Sequence, residues 1–182
     1  MSDKPTTKDL ILDAAETVVA REGARHMTID AVAADARISK GGVLYHYPNK
    51  MALLEAMVTR MVSGVCDDIH RAESEARERG VPVLPHVIET LFQRDGPKEQ
   101  VGNAVLAASA EQPQLLEVAG GVLAKEFQRL TEDAPDPVLA QIAFLTLDGL
   151  KLTALLGLDH VFDHQIDAIK HRVITMTREM YQ

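Results

Sequence analysis

A chain of 182 residues that is 46% hydrophobic has room for one or two cored domains; only 4% is aromatic, and Ala, Leu, Val and Met supply the apolar bulk, which favours helices over strands. One cysteine, Cys66, excludes an internal disulfide and a cysteine-built zinc site, and suits a reducing cytoplasm. The net charge of −8 is unevenly placed: residues 1–50 hold seven Lys/Arg and seven Asp/Glu, so the excess of acid lies wholly in 51–182.

The first predicted helix starts at Thr6, where Thr6 and Asp9 have capping-box spacing. Leu10, Ile11, Ala14, Ala15, Val18 and Val19 repeat at helical spacing, and Gly23 supplies a left-handed stop. A second helix follows from Thr28, which caps it, with Met27 and Val32 as hydrophobic staple and Ile29, Val32 and Ala33 as buried stripe. The chain turns over residues 36–38, and a third helix begins at Ser39 with Ile38 and Val43 as staple. Pro48 ends it and Asn49 caps a fourth. Two short helices joined by about three residues form a helix-turn-helix, which can lay the second helix in a DNA groove. Residues 36–54 contain no acid but include Arg37, Lys40, His46 and Lys50. A basic window on an acidic body can bind phosphate locally, although charge alone does not separate that from a solvated loop.

The fourth helix is long, with one apolar face through Leu53, Leu54, Met57, Val58, Met61, Val62, Val65, Cys66 and Ile69. Further helices are predicted at about 83–94, 98–110, 113–132, 136–157 and 161–180, separated by Pro- and Gly-containing breaks. No alternating strand pattern is present. The expected fold is all-α, an N-terminal three-helix helix-turn-helix head (1–48) joined by the long fourth helix to a helical effector and dimerisation body (49–182). The polar N-terminus has no apolar signal-peptide core and no apolar run approaches the ~18–20 residues of a span, so neither export nor membrane contact is expected.

The stretch Thr28-Ile-Asp-Ala-Val-Ala33, the short turn, Ser39-Lys-Gly-Gly-Val-Leu-Tyr-His-Tyr47, Asn49-Lys50 and Leu53-Leu54 resembles the N-terminal domain of TetR-type (tetracycline-repressor family) transcriptional regulators over about residues 8–55. The resemblance implies a homodimer whose two heads read successive major grooves of a near-palindromic DNA operator, with a small-molecule effector held in the body and no cofactor. By family position Lys40, Gly41 and Gly42 face base edges, with the cap Ser39 beside them. Thr28, Tyr45, His46 and Lys50 are placed against the backbone. Thr28 does so from a helix N-terminus, Lys50 as a mobile point charge, and Tyr45 through its hydroxyl while its ring packs. The alternatives are that Tyr45 is a plain core residue and His46 a solvated surface one. Tyr47 is expected in the core.

Two departures stand out. The family often has Gly where this chain has Arg37; if positive φ is needed there, Arg costs roughly 1 kcal/mol. Gly41 and Gly42 together weaken the third helix by roughly 1–2 kcal/mol while allowing close backbone approach, so that helix is expected to fray when free.

In the body, the resemblance implies that helices 136–157 and 161–180 form the dimer interface. Ile142, Leu145, Leu152, Leu155 and Leu156 on the first, and Ile166, Ile169, Val173, Ile174 and Met180 on the second, are compatible, but periodicity does not separate an interface from intrachain core. Expected effector-lining residues are Met57, Met61, Val65, Phe92, Asn103, Leu106, Phe127, Phe144 and Asp148, with Leu147 beside them; His86 and Lys151 are further polar candidates, and Asp148 can pair with Lys151 three residues on. A metal enzyme is the main rival in another class, since His160 and His164 are four apart, but the Glu of an HExxH motif is missing. A DNA-binding protein without a ligand is the other rival.

Overall fold

The computed structural model describes residues 5–94, 102, 113–161 and 164–182. The described elements are α1 (Thr7–Glu22), α2 (Ile29–Ala36), α3 (Lys40–His46), α4 (Lys50–Arg79), α5 (Val83–Phe92), α6 (Pro113–Glu132), α7 (Pro137–Leu155) and α8 (Ile166–Glu179), with a 3-10 turn at Asp159–Val161. The architecture is all-α. The predicted helix at 98–110, including Asn103 and Leu106, lies outside the described residues apart from Gly102. The chain divides into two compact units: one spans Met1–Val62 and Gly96–Gly120, the other Ser63–Asp95 and Gly121–Gln182.

In the first unit, local chemistry sets the helix ends. Thr6 Oγ1 accepts from the Asp9 amide at 3.2 Å while the Asp9 carboxylate accepts from the Thr6 amide at 2.9 Å, closing the capping box. Those bonds hold the Asp9 carboxyl below its ordinary pKa. Thr28, Ser39 and Asn49 each accept from the amide three residues on, at 3.1, 3.1 and 2.8 Å. Gly23 ends α1 at φ 82°, ψ 151°, so the chain leaves in an extended glycine-only conformation rather than the expected left-handed one. Ile11, Ala15, Val18, Met27, Val32, Val43 and Leu53 pack at 0–1% exposure as the core of this unit. Arg60 on α4 bonds Asp13 at 2.7 Å and Glu16 at 2.9 Å, clamping the start of α4 to α1.

Arg37 closes α2 at φ 57°, ψ 38°, the one non-glycine at positive φ among the described residues. Its amide is held by the carbonyls of Ala33 and Ala34, and Ile38 N–H bonds the Ala33 carbonyl at 3.0 Å, so the turn dictates the left-handed backbone. Arg37→Gly is therefore expected to raise stability by about 1 kcal/mol, read from the urea midpoint at unchanged slope.

In the second unit the core joins Ile69 and Ala72 of α4, Leu84, Val87, Ile88 and Leu91 of α5, Leu130 of α6, and Ala140, Ala143, Phe144 and Leu147 of α7. Val173, Ile174 and Met180 pack on this same core, so much of the apolar face of the last helix is intrachain rather than free for a partner. That helix also starts at Ile166, five residues later than predicted. The outer edge of α7 is different: Val138, Ile142, Leu145, Leu152 and Leu156 are 49–70% exposed. Pro137–Ala154 also has the length and composition of a span, 18 residues at mean hydropathy 1.2, which the sequence reading missed. Asp148 and Lys151 interrupt it.

Buried charge in this unit is paired. Glu73 is 5% exposed and accepts from Arg129 at 2.7 Å; Arg129 also bonds Glu126 at 2.7 Å, which holds the Glu126 carboxyl down and raises the guanidinium. Asp68 on α4 receives both Arg71 and Arg94, and Arg94 also donates to the Gly64 carbonyl at 3.1 Å.

Candidate nucleic-acid interface

The DNA-facing residues expected from the sequence lie on α3, at the N-caps of α2 and α3, or at the start of α4, and the structure sorts them by what else each one does. Tyr45 is 85% exposed and its only ring contact among the described residues is an edge-on approach to His46, with centroids 5.0 Å apart. The expectation that its ring packs is corrected: α3 turns position 45 outward and position 47 inward. Tyr47 is 7% exposed, and burial pushes its phenol up. An aromatic side chain left in water on a short helix is available for a flat or charged partner.

The two glycines are not equivalent. A Cβ on Gly41 would meet nothing within 4 Å, so this position is open to an approaching molecule. A Cβ on Gly42 would lie 2.7 Å from Ile38 Cγ2 and 3.3 Å from Ser39 Oγ, so the second glycine answers to the packing of the turn. Gly41→Ala is expected to stabilise by about 0.5–1 kcal/mol through helix propensity, whereas Gly42→Ala is expected to destabilise by about 1–3 kcal/mol by overpacking. Thermal melts of the two variants check the opposite signs.

The two lysines are also occupied. Lys50 Nζ donates to the Arg25 carbonyl at 2.7 Å, and partial burial lowers its pKa. It is anchored rather than mobile, because the carbonyl lies in the loop between α1 and α2, 25 residues back. Lys40 Nζ is paired with the Asp30 carboxylate at 2.9 Å. Neither partner had a local sequence signal, since the bonds join residues 25 and ten positions apart. Thr28 and Ser39 use their hydroxyl oxygens as helix caps and are exposed, so the amide ends of α2 and α3 face outward with them.

Among the effector-lining candidates, Val65, Phe92, Phe127 and Phe144 come together in the core of the second unit, where Phe127 and Phe144 stack with centroids 4.4 Å apart. Met57, 2% exposed, and Met61 belong to the first unit; a Cβ on Gly102 would lie 2.7 Å from the Met61 sulfur. Asp148 does not join either group. It lies at the edge of the apolar stripe of α7, where partial burial of its carboxyl raises its pKa and Lys151 lowers it. His86 is engaged by Glu75 at 3.3 Å. His160 lies in the 3-10 turn, where its ring bonds the Gly157 carbonyl at 2.9 Å, and His164 lies in a turn before α8. The two do not share a helix, which removes the geometry of a helical metal pair.

Two family models match the chain. Residues 11–57 match "Bacterial regulatory proteins, tetR family", and residues 83–178, more than half the chain, match "Tetracyclin repressor-like, C-terminal domain". The chain belongs to the TetR family. It is thus a transcriptional regulator with a DNA-binding helix-turn-helix and an effector domain, and not an enzyme. TetR-family regulators bind DNA as dimers and respond to small molecules. No curated protein matches by sequence. Solved structures share the fold at low identity. A TetR-family member from Streptomyces coelicolor A3 is 20% identical with TM-score 0.73, covering 97% of this chain and 98% of that one. The multidrug binding protein EbrR, complexed with imidazole, is 22% identical with TM-score 0.72, over 97% and 96% of the two chains. A transcriptional regulator from Rhodococcus sp. Rha1 is 21% identical with TM-score 0.73, over 96% and 95%. EbrR has also been solved with ethidium and with malachite green.

Proposed function

We propose that this TetR-family regulator is a repressor that binds a near-palindromic operator as a homodimer and is released by a small, largely apolar effector. The observation that carries the reading is α3: a capped helix with Tyr45 85% exposed, an open Gly41 beside Lys40, and no carboxylate of its own. Lys40 and Gly41 are assigned to base edges, and Thr28, Tyr45, His46 and Lys50 to the sugar–phosphate backbone, with Ser39 and Gly42 setting the helix that carries them. The exposed leucine stripe of α7 supports the dimer, since a twofold axis through it pairs the stripe with its own copy.

Val65, Phe92, Phe127 and Phe144, which come together in the second unit, are the side chains proposed to meet a largely apolar effector. The proposed switch is a shift of population. α4 is one 30-residue helix; its start is clamped to α1 by Arg60, and its later turns supply Ile69 and Ala72 to the second core. An effector that prefers one body packing would tilt α4 and move the heads off one helical turn of DNA, with coupling of about 1–3 kcal/mol.

Selection of bound duplex from a random pool tests the reading. The expected result is a near-palindrome with half-sites one helical turn, roughly 34–36 Å, apart. Recovery of asymmetric or unrelated sequences would refute it. Asp148 adds a pH dependence. Its raised pKa means that ionisation is disfavoured in the fold, so its stabilising contribution is present at low pH and is lost as pH rises through the folded value. Asp148→Asn is therefore expected to melt higher than the parent near neutrality, with the gap closing as pH falls towards the ordinary aspartate value of 3.8.

A further inference from the structure

Lys40 does not stand alone on the recognition helix. Its ammonium meets the Asp30 carboxylate at 2.9 Å, across from α3 to the first turn of α2, and both side chains are exposed, at 57% and 69%. Residues 36–54 contain no acid, so Asp30 brings to this surface a negative charge that the window itself lacks. It sits two residues after Thr28, on the helix end assigned above to a phosphate. An exposed pair of this kind contributes little to folding. What it does is compete: any phosphate that approaches must take the ammonium from a carboxylate already bonded to it, and must also come near that carboxylate.

We propose that Asp30 is a specificity-determining positioning residue, which holds Lys40 away from passing phosphates and presents it to a base edge. The inference rests on α3 being the helix that enters DNA. Lys has three donors on a flexible stem, so it can keep one N–H on Asp30 and offer another to the guanine N7 and O6 acceptors. Without Asp30 the ammonium is free to settle on the nearest phosphate, a contact that carries no sequence information. Asp30 thereby weakens binding to the wrong DNA more than binding to the right one.

The test compares the parent with Asp30→Asn on two duplexes, the selected operator and one of random sequence, by fluorescence anisotropy across a salt series. Asp30→Asn is expected to tighten random-duplex binding about three- to tenfold and to steepen its log–log salt slope by about one. Operator affinity should change less, so the ratio of the two falls. Asp30→Glu should restore the parent slope. In a Lys40→Met background the effect of Asp30→Asn should shrink by at least half. If the Asn variant loses helical circular dichroism, Asp30→Ser replaces it, keeping a helix-starting side chain without the charge. An unchanged random-duplex slope, an equal gain on both duplexes, or the same effect with and without Lys40 would overturn the proposal. A parent chain that retains no duplex at all would instead overturn the assignment of α3 to DNA, and this inference with it.

Discussion

Leu145→Asp is expected to leave the chain folded but monomeric, and to weaken operator binding by more than a hundredfold. Leu145 is 70% exposed and lies in the middle of the outward stripe of α7, one turn from Ile142 on one side and two turns from Leu152 on the other. In a twofold dimer each interface receives the substitution twice, so two carboxylates are buried near the axis with no cation to meet them. An unpaired buried charge costs several kcal/mol, which is enough to move association out of reach at micromolar concentration. A monomer then holds one half-site and loses the high effective concentration of the second head. Because the side chain is exposed in the single chain, helical circular dichroism should be unchanged. Sedimentation velocity and operator titration check both parts. A variant that sediments as a dimer would mean that this stripe is not the interface.

Phe144→Ala, one residue earlier, should do the reverse: lower stability by about 3–5 kcal/mol while leaving association intact. Phe144 is 4% exposed, stacks on Phe127 at 20° between planes, and belongs to the core shared by α4, α5, α6 and α7. Removing the ring deletes apolar area and leaves a cavity that the surrounding helices fill only in part. For a chain of this size the melting temperature should fall by roughly 10 °C. A fall of only a degree or two would mean that the ring borders a preformed hollow rather than filled core. The two substitutions are neighbours in sequence, yet 100° of helical rotation sends one side chain inward and the other outward.

Much of the head was legible because its signals are local. Thr6 with Asp9, Thr28, Ser39 and Asn49 each bond an amide three residues on, and such a bond can be read from spacing alone. The same holds for the buried stripes that follow them. Gly42 was harder. Two adjacent glycines look alike in a sequence, and only the nearness of the Ile38 side chain separates the one the turn requires from the one it leaves open. Tyr45 and Tyr47 were separable in part, since the resemblance placed Tyr47 in the core; that the Tyr45 ring is left exposed came from the fold. The last helix was predicted too early because no local signal marks its start: Gln165 precedes α8 with no side-chain cap bond.

The sequence by itself determined the all-α class, the helix-turn-helix and the positions of most helix ends. Each of these depends on a few consecutive residues and on backbone sterics. Only the tertiary structure decided where long side chains go: Lys50 to the Arg25 carbonyl, Lys40 to Asp30, Arg60 to Asp13 and Glu16, Arg129 to Glu73. It also decided that α7 is apolar on two faces with one turned outward, while much of the α8 apolar face is spent on its own core. Periodicity marks a face as apolar but carries no information about what covers it, because that depends on residues tens of positions away brought near by folding.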